Sequence, residues 1–242
     1  MAFLFSVVFC LILQFNLAGL KKYILVWMIG ILYAGILKAQ PVFSIATDAT
    51  VLRSLSTQQH FFAVGQTVTG NIHFTKKESG YAWITYYTYG KFKNSATAIA
   101  NNSTIYPPAV HYTIHSRMRY RQISIGWKHY FRGSYNENLN WNLYGLAGFG
   151  LLLGNAENTF NSFVDTALYT APFHPTAGAG VFKRLTFDMG LGTEIPLGTS
   201  IYLYTELRTW LPASDYPSPY LINNSNVPLS LIVCGGLRVL MD

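Results

Sequence analysis

Over residues 41–242 the apolar and polar side chains alternate with a period of two, the pattern of strands that bury one face. The alternation is clearest near the end of the chain. In 199–211, Ile201, Leu203, Leu207 and Leu211 share one face with Thr205 and Thr209, while Tyr202, Tyr204, Glu206, Arg208 and Trp210 share the other. In 228–241, Leu229, Leu231, Val233, Leu237, Val239 and Met241 alternate with Ser230, Ile232, Cys234, Gly236, Arg238 and Leu240. The same reading predicts strands over 42–55, 61–75, 80–93, 117–131, 139–153, 182–197, 199–211 and 228–241. No amphipathic helix of useful length and no internal repeat is present there. The expectation is an all-β, antiparallel, up-and-down transmembrane β-barrel of about eight strands, an even number as single-chain bacterial barrels have.

The connections fall into two classes. Thr75–Gly80, Phe131–Leu139 and Pro196–Ser200 are short and turn-like, whereas 94–116, 154–181 and 212–227 are long and rich in Asn, Ser, Thr and Pro. Ser56–His60 is a short member of the second class. With both ends of the barrel in the periplasm, short turns fall inside and long loops outside, the asymmetry of an outer-membrane barrel.

Composition decides which face meets lipid. Half of the chain is hydrophobic, 16% is aromatic and 11% is charged, against about 25% charged in a soluble domain. Beyond residue 40 no uncharged apolar run reaches the roughly 20 residues of a spanning helix. The apolar strand faces therefore meet lipid, where an ionised group at mid-membrane costs roughly 2–4 kcal/mol. The charged faces point into the lumen, where Asp188, Glu194, Glu206, Arg208 and Arg238 form an expected polar network filling a narrow interior. On 117–131 the outward face holds Ile123, Ile125 and Trp127, and Arg117, Arg119 and Arg121 continue it toward the long-loop end. Guanidinium groups just above an apolar band suit lipopolysaccharide phosphates; a solvated loop base is the plainer reading. Tyr86, Tyr87, Tyr89, Trp83, Trp127, Phe131, Trp141 and Trp210 are material for interfacial aromatic girdles.

The formal charge is +7. Three of the 17 basic residues and no acid precede residue 41, leaving 14 against 10 beyond it, a formal +4. That excess suits anionic headgroups, and no basic cluster carries a nucleic-acid motif. Residues 1–40 read as a leader: Lys21-Lys22, an apolar stretch from Tyr23 to Leu37, then Lys38-Ala39-Gln40. Cleavage is expected after Gln40, giving 41–242 as the barrel domain behind an N-terminal signal helix. Residues 1–20 form a second apolar stretch before the lysines, read as an upstream mis-assigned start or, alternatively, a membrane helix at 2–19. Of the two cysteines, Cys10 falls in the leader and Cys234 stands alone in the barrel, which leaves no disulfide there.

A search for chemistry finds little. His111, His115 and Ser116 are close in sequence, but His115 and Ser116 point to opposite faces of a strand. No Gly-x-Ser-x-Gly elbow, phosphate loop, dinucleotide fingerprint or calcium loop is present, and His111 with His115 lacks a supporting acid for a metal. No enzyme, no cofactor and no metal site is expected.

The leader ending Lys38-Ala39-Gln40, the run Met189-Gly-Leu-Gly-Thr-Glu-Ile-Pro-Leu-Gly-Thr-Ser-Ile-Tyr-Leu-Tyr-Thr-Glu-Leu-Arg208 and the closing Gly235-Gly-Leu-Arg238 resemble Bacteroidetes outer-membrane β-barrel proteins, a group similar to the small barrel of outer-membrane protein A. The resemblance implies insertion by the barrel-insertion machinery, with lipid and lipopolysaccharide as partners, and carries no activity. The end Val239-Leu-Met-Asp242 departs from the aromatic terminus usual in such barrels. The expected function is a structural or surface-interaction barrel with long external loops. The alternatives are a narrow pore or a lipid A-modifying enzyme.

Overall fold

The computed structural model of the protein describes residues 42–56, 58–213, 218–222 and 229–241. The expected leader at 1–40, Cys10 and the closing Asp242 lie outside the described residues. Ten strands follow in order: β1 (Val42–Ser54), β2 (Phe62–His73), β3 (Glu78–Tyr87), β4 (Gly90–Ala100), β5 (Ala109–Arg132), β6 (Asn142–Phe160), β7 (Tyr169–Thr170), β8 (Gly178–Pro196), β9 (Ile201–Pro212) and β10 (Ser230–Met241). Among the described residues no helix is long and apolar enough to cross a membrane.

Eight of these strands close a barrel, each antiparallel to its neighbours, in the order β1–β2–β3–β5–β6–β8–β9–β10 and back to β1. Closure removes every sheet edge, which a lipid environment demands because unpaired backbone groups there cost several kcal/mol each. The register fixes the shape. From Ser44 the paired positions run Asn71, Tyr81, Gly126, Gly148, Asp188, Trp210, Ser230 and back to Ser54. One circuit therefore returns ten residues along the starting strand, which with eight strands gives a tilt of about 40°. A barrel of this size has an interior that side chains fill.

Alternation sorts the two faces as the sequence implies. Ile45, Ile84, Ile125, Phe149, Leu185, Leu207 and Val233 are exposed on the outside, while Asp48, Gln122, Asp188, Glu194, Arg208 and Arg238 are buried inside. An exterior of hydrocarbon around an ionic interior is the reverse of a water-soluble protein. With short turns at one end and long projections at the other, it is the build of a bacterial outer-membrane barrel.

Two expectations need correction. The stretch 94–116 is largely strand, and 154–181 is strand at 154–160, 169–170 and 178–181. β4 pairs with the upper part of β5, β6 runs on to Phe160, and β7 joins the far end of β4. Their polar residues occur on both faces because neither face there meets lipid, so the period-two signal fades. β3 and β4 together form one long strand: residues 87–89 lie opposite only 119–120 of β5, one extra residue between the two registers. The projecting sheet has its own small core of Ala98, Tyr112, Ile114, Val164 and Tyr169. Tyr112 and Tyr169 pin the connections by donating hydroxyls to the carbonyls of Phe173 (2.6 Å) and Pro107 (3.0 Å).

The second correction concerns the girdle. Trp83, Tyr87 and Trp210 are buried in the lumen, since strand parity turns them inward; Tyr86, Tyr89, Trp127, Phe131 and Trp141 are the exposed members. Glycine has a role of its own at two paired inner positions. A Cβ on Gly126 or Gly148 would come within 2.4 Å of the Tyr81 hydroxyl, so only glycine lets that ring lie across β5 and β6.

Candidate functional site

The lumen is built in layers. At the end bearing the short turns, Glu194 of β8 is the hub. Its carboxylate accepts from Lys128 Nζ (3.1 Å), Arg238 Nε (3.1 Å) and Nη2 (2.9 Å), and Asn142 Nδ2 (3.4 Å). Arg238 also donates to the Tyr135 carbonyl (2.8 Å), which ties the 133–141 turn across the mouth, and its guanidinium lies 3.9 Å from the Tyr202 ring centre. Beside it His73 bridges Ser79 (2.6 Å) and Ser44 (2.9 Å) and stacks on Tyr135 at 4.4 Å.

In the middle layer Arg208 pairs with Glu206 and with Asp48 (3.3 Å), and lies 4.4 Å over the Trp83 ring. Tyr144 connects this layer to the one below, donating to Glu206 (2.6 Å) while its ring face receives Lys128 Nζ at 3.6 Å. Tyr204 donates to Asp48 (2.7 Å). Above them Asp188 accepts from Gln122 (2.8 Å), Thr186 (2.9 Å) and Ser124.

The external end is apolar. Leu52, Phe61, Tyr87, Met118, Tyr120, Leu152, Phe182, Trp210 and Ile232 form one cluster, with Tyr120 edge-on to Trp210 at 5.8 Å and to Phe182 at 6.2 Å. The lumen voids lined by Arg208, beside Glu194 and beside Asp188, measure about 10 Å³ each, room for about one water apiece.

The five lumen residues named from sequence thus divide into three places. Glu194 and Arg238 form one pair, Glu206 and Arg208 another, and Asp188 is held by neutral donors without an ion pair among the described residues. Sequence reasoning missed Asp48 and Lys128, the third partners of those pairs, and Tyr144, which joins them. Parity carried the signal. Asp48 shares the inner face of β1 with Ser44 and Thr50, and Lys128 that of β5 with Gln122 and Ser124.

On the outside, Arg117, Arg119 and Arg121 project from β5 above Ile123. Arg117 makes a bidentate pair with Glu157 of β6 (2.7 and 2.9 Å). Arg119 and Arg121 make no ion pair among the described residues. Arg119 lies 4.7 Å from the Tyr89 ring centre and Arg121 lies 5.6 Å from that of Tyr86. Lys91 and Lys93 of β4 stand opposite Arg117 and His115, and Lys183 of β8 is reached from Arg121 through Leu153. The Arg117 hydrogen bonds, the largest effect there, hold the Glu157 carboxyl below its usual range. His111 is bonded to Thr97 (2.7 Å), whereas Ser116 faces inward and donates to Asn158 (2.7 Å). Among the described residues no group of three or more His, Cys, Asp or Glu side chains is placed to hold a metal.

No family model and no curated protein matches the sequence. Solved structures do. Ail, the attachment invasion locus protein of Yersinia pestis, is similar with 10% identity and a TM-score of 0.46, over 84% of this chain and 100% of its own. Neisserial surface protein A is similar with 11% identity and a TM-score of 0.47, over 81% and 96%. The N-terminal β-barrel domain of OprF from Pseudomonas aeruginosa gives 10% and 0.44, over 84% and 100%. At these identities and scores none of them bears on what this chain does.

Proposed function

We propose that the chain is a non-enzymatic outer-membrane barrel with a structural and surface-binding role, and that its working surface is the basic patch above the lipid band. One observation carries the reading. Lys91, Lys93, Arg117, Arg119, Arg121 and Lys183 occupy outward positions on one flank of β4, β5 and β8, from one to four rows beyond Ile123, and Glu157 is the acid among them. That is the level at which lipopolysaccharide phosphates lie, and a guanidinium fork binds phosphate well. The tyrosine faces of Tyr86 and Tyr89 hold two of the arginines against the wall without neutralising them.

The packed lumen supports a structural role over a pore, since ions would have to displace both the Glu194 hub and the aromatic cluster above it. The separation of Ser116 from His111 and His115 supports a non-enzymatic role. In this reading residues 1–40 direct export, the barrel-insertion machinery is the folding partner, and the kinship is with the Bacteroidetes barrel group.

The test is lipid A binding by the protein and by its Arg117→Gln/Arg119→Gln/Arg121→Gln variant, with phosphorylated and dephosphorylated lipid A. Affinity for the phosphorylated form should fall about tenfold or more, as expected for lost charge-assisted bonds, and that for the dephosphorylated form should not change. Equal affinities of wild type and variant for the phosphorylated form would sink the reading.

A further inference from the structure

The lipid-facing wall carries an open groove below the basic patch. Outward positions on the lower part of β6 are small. Gly145 and Ala147 stand between Trp127 and Phe131 of β5 and Met189 and Leu191 of β8. The dip runs on across β9 to Leu231 of β10 and has an open volume of about 580 Å³. Spanning five adjacent strands at about 4.8 Å spacing, it is roughly 19 Å long. Trp127, Ala147, Met189, Thr209 and Leu231 share one ladder row, so the groove climbs from the turn end of β5 to the projecting end of β10. One leaflet's hydrocarbon is about 15 Å deep, half of the roughly 30 Å core. An inclined groove of this length matches one acyl chain.

Polar groups mark its lower end. The Glu78 carboxylate accepts from the Trp127 indole N–H and from His129 Nδ1 (2.6 Å). A carboxylate only accepts, so Nδ1 carries the proton, and no described residue bonds Nε2. A β-bulge between Tyr130 and Arg132 makes Phe131 the extra residue and sets Arg132 opposite Leu143. The bulge therefore turns Arg132 to the outer face, one row below His129, where its guanidinium lies 4.3 Å from the Trp141 ring centre. In a regular strand Arg132 would point into the lumen with Lys128 and Tyr130.

We propose that this groove seats one glycerophospholipid of the periplasmic leaflet, with an acyl chain along Gly145 and Ala147, the phosphate against Arg132, and a headgroup O–H or N–H donating to His129 Nε2. A pure hydrocarbon contact would need neither the bulged arginine nor the tethered histidine, and both sit at headgroup level at the same end of the groove. The groove and the external patch are separate surfaces, so either can fail a test without the other.

The test is native mass spectrometry of the folded full chain in detergent, titrated with phosphatidylglycerol or with diacylglycerol of the same chains. One phosphatidylglycerol should stay bound, with retention of diacylglycerol about tenfold weaker for want of the phosphate contacts. Arg132→Gln with His129→Gln should lower phosphatidylglycerol to the diacylglycerol level. Ala147→Phe, which fills the groove, should release both lipids, whereas Val68→Phe on the far wall should change nothing. Gel migration before and after boiling reports folding, and if Ala147→Phe does not fold, the Arg132/His129 variant decides. Equal retention of the two lipids, or undiminished phosphatidylglycerol binding in the folded variants, overturns the proposal. A dimer of lipid-free barrels lost on Ala147→Phe also overturns it, because the groove would then belong to a second copy.

Discussion

Arg208 and Arg238 inside the barrel and Arg119 and Arg121 outside it are the same side chain in two environments. The inner pair is nearly fully buried, each guanidinium matched to carboxylates and laid on an aromatic ring. The outer pair also lies on aromatic rings but has no carboxylate partner among the described residues. Taking an ion out of water costs several kcal/mol, so the inner charges are tolerable only beside opposite charges. The outer charges stay solvated and need no partner, which leaves them open to a ligand. Charge in this wall is structural where it is paired and available for binding where it is not.

The largest effect should come from opening the inner set. Arg238→Met removes two bonds to Glu194 and one to the Tyr135 carbonyl, leaving the carboxylate buried with Lys128. Breaking a buried pair from one side costs about 3–5 kcal/mol. Urea unfolding in detergent micelles should show a loss of that size, and adding Glu194→Gln should deepen it, because Lys128 is then buried without its carboxylate partner. A loss under about 1 kcal/mol, the value of a surface pair, would mean that the lumen is wetter than its packing implies.

A charge moved onto the lipid face comes next. Ile125 is exposed in the middle of the outward face of β5, so Ile125→Arg should cost about 2–4 kcal/mol in bilayer refolding. The same arginine at 119 or 121 is already tolerated two to three outward positions higher. If Ile125→Arg were neutral, the apolar band would have been placed too low.

The barrel itself was readable because lipid imposes one rule on every strand: apolar outward, anything else inward. That rule gave the strand count and the inner position of all five charged lumen residues. It is silent where lipid ends. Asn94 to Ala100 and Gly154 to Phe160 read as loop because water meets their outer face and a small private core their inner one. Contacts inside the lumen were also hidden. The pairs Arg238–Glu194 and Arg208–Asp48 join residues 44 and 160 positions apart, brought together by shear and register rather than by any local spacing. The bulge that turns Arg132 outward left no local mark either, since Phe131 and Arg132 fit a turn as well as a strand end.

The smallest effect belongs to the outer surface. Arg117 differs from Arg119 and Arg121 in having a carboxylate partner, yet the pair is well exposed, its side chains retaining 50% and 29% of their accessible surface. The Arg117 hydrogen bonds pull the Glu157 carboxyl below its usual 4.5. A carboxyl lowered on folding contributes its stabilisation above the unfolded value and loses it as pH falls through the depressed folded one. The pair should therefore be intact at neutral pH and open only well into the acid range. Titration of Glu157 by carboxyl-selective NMR should give a midpoint below 4.5 that returns toward 4.5 in Arg117→Gln, while the global unfolding midpoint stays the same between pH 7 and pH 5. A midpoint at 4.5 in the unaltered protein would show that Arg117 is as free as its two neighbours, and the basic patch would then present three unpaired guanidinium groups where the structure gives it two.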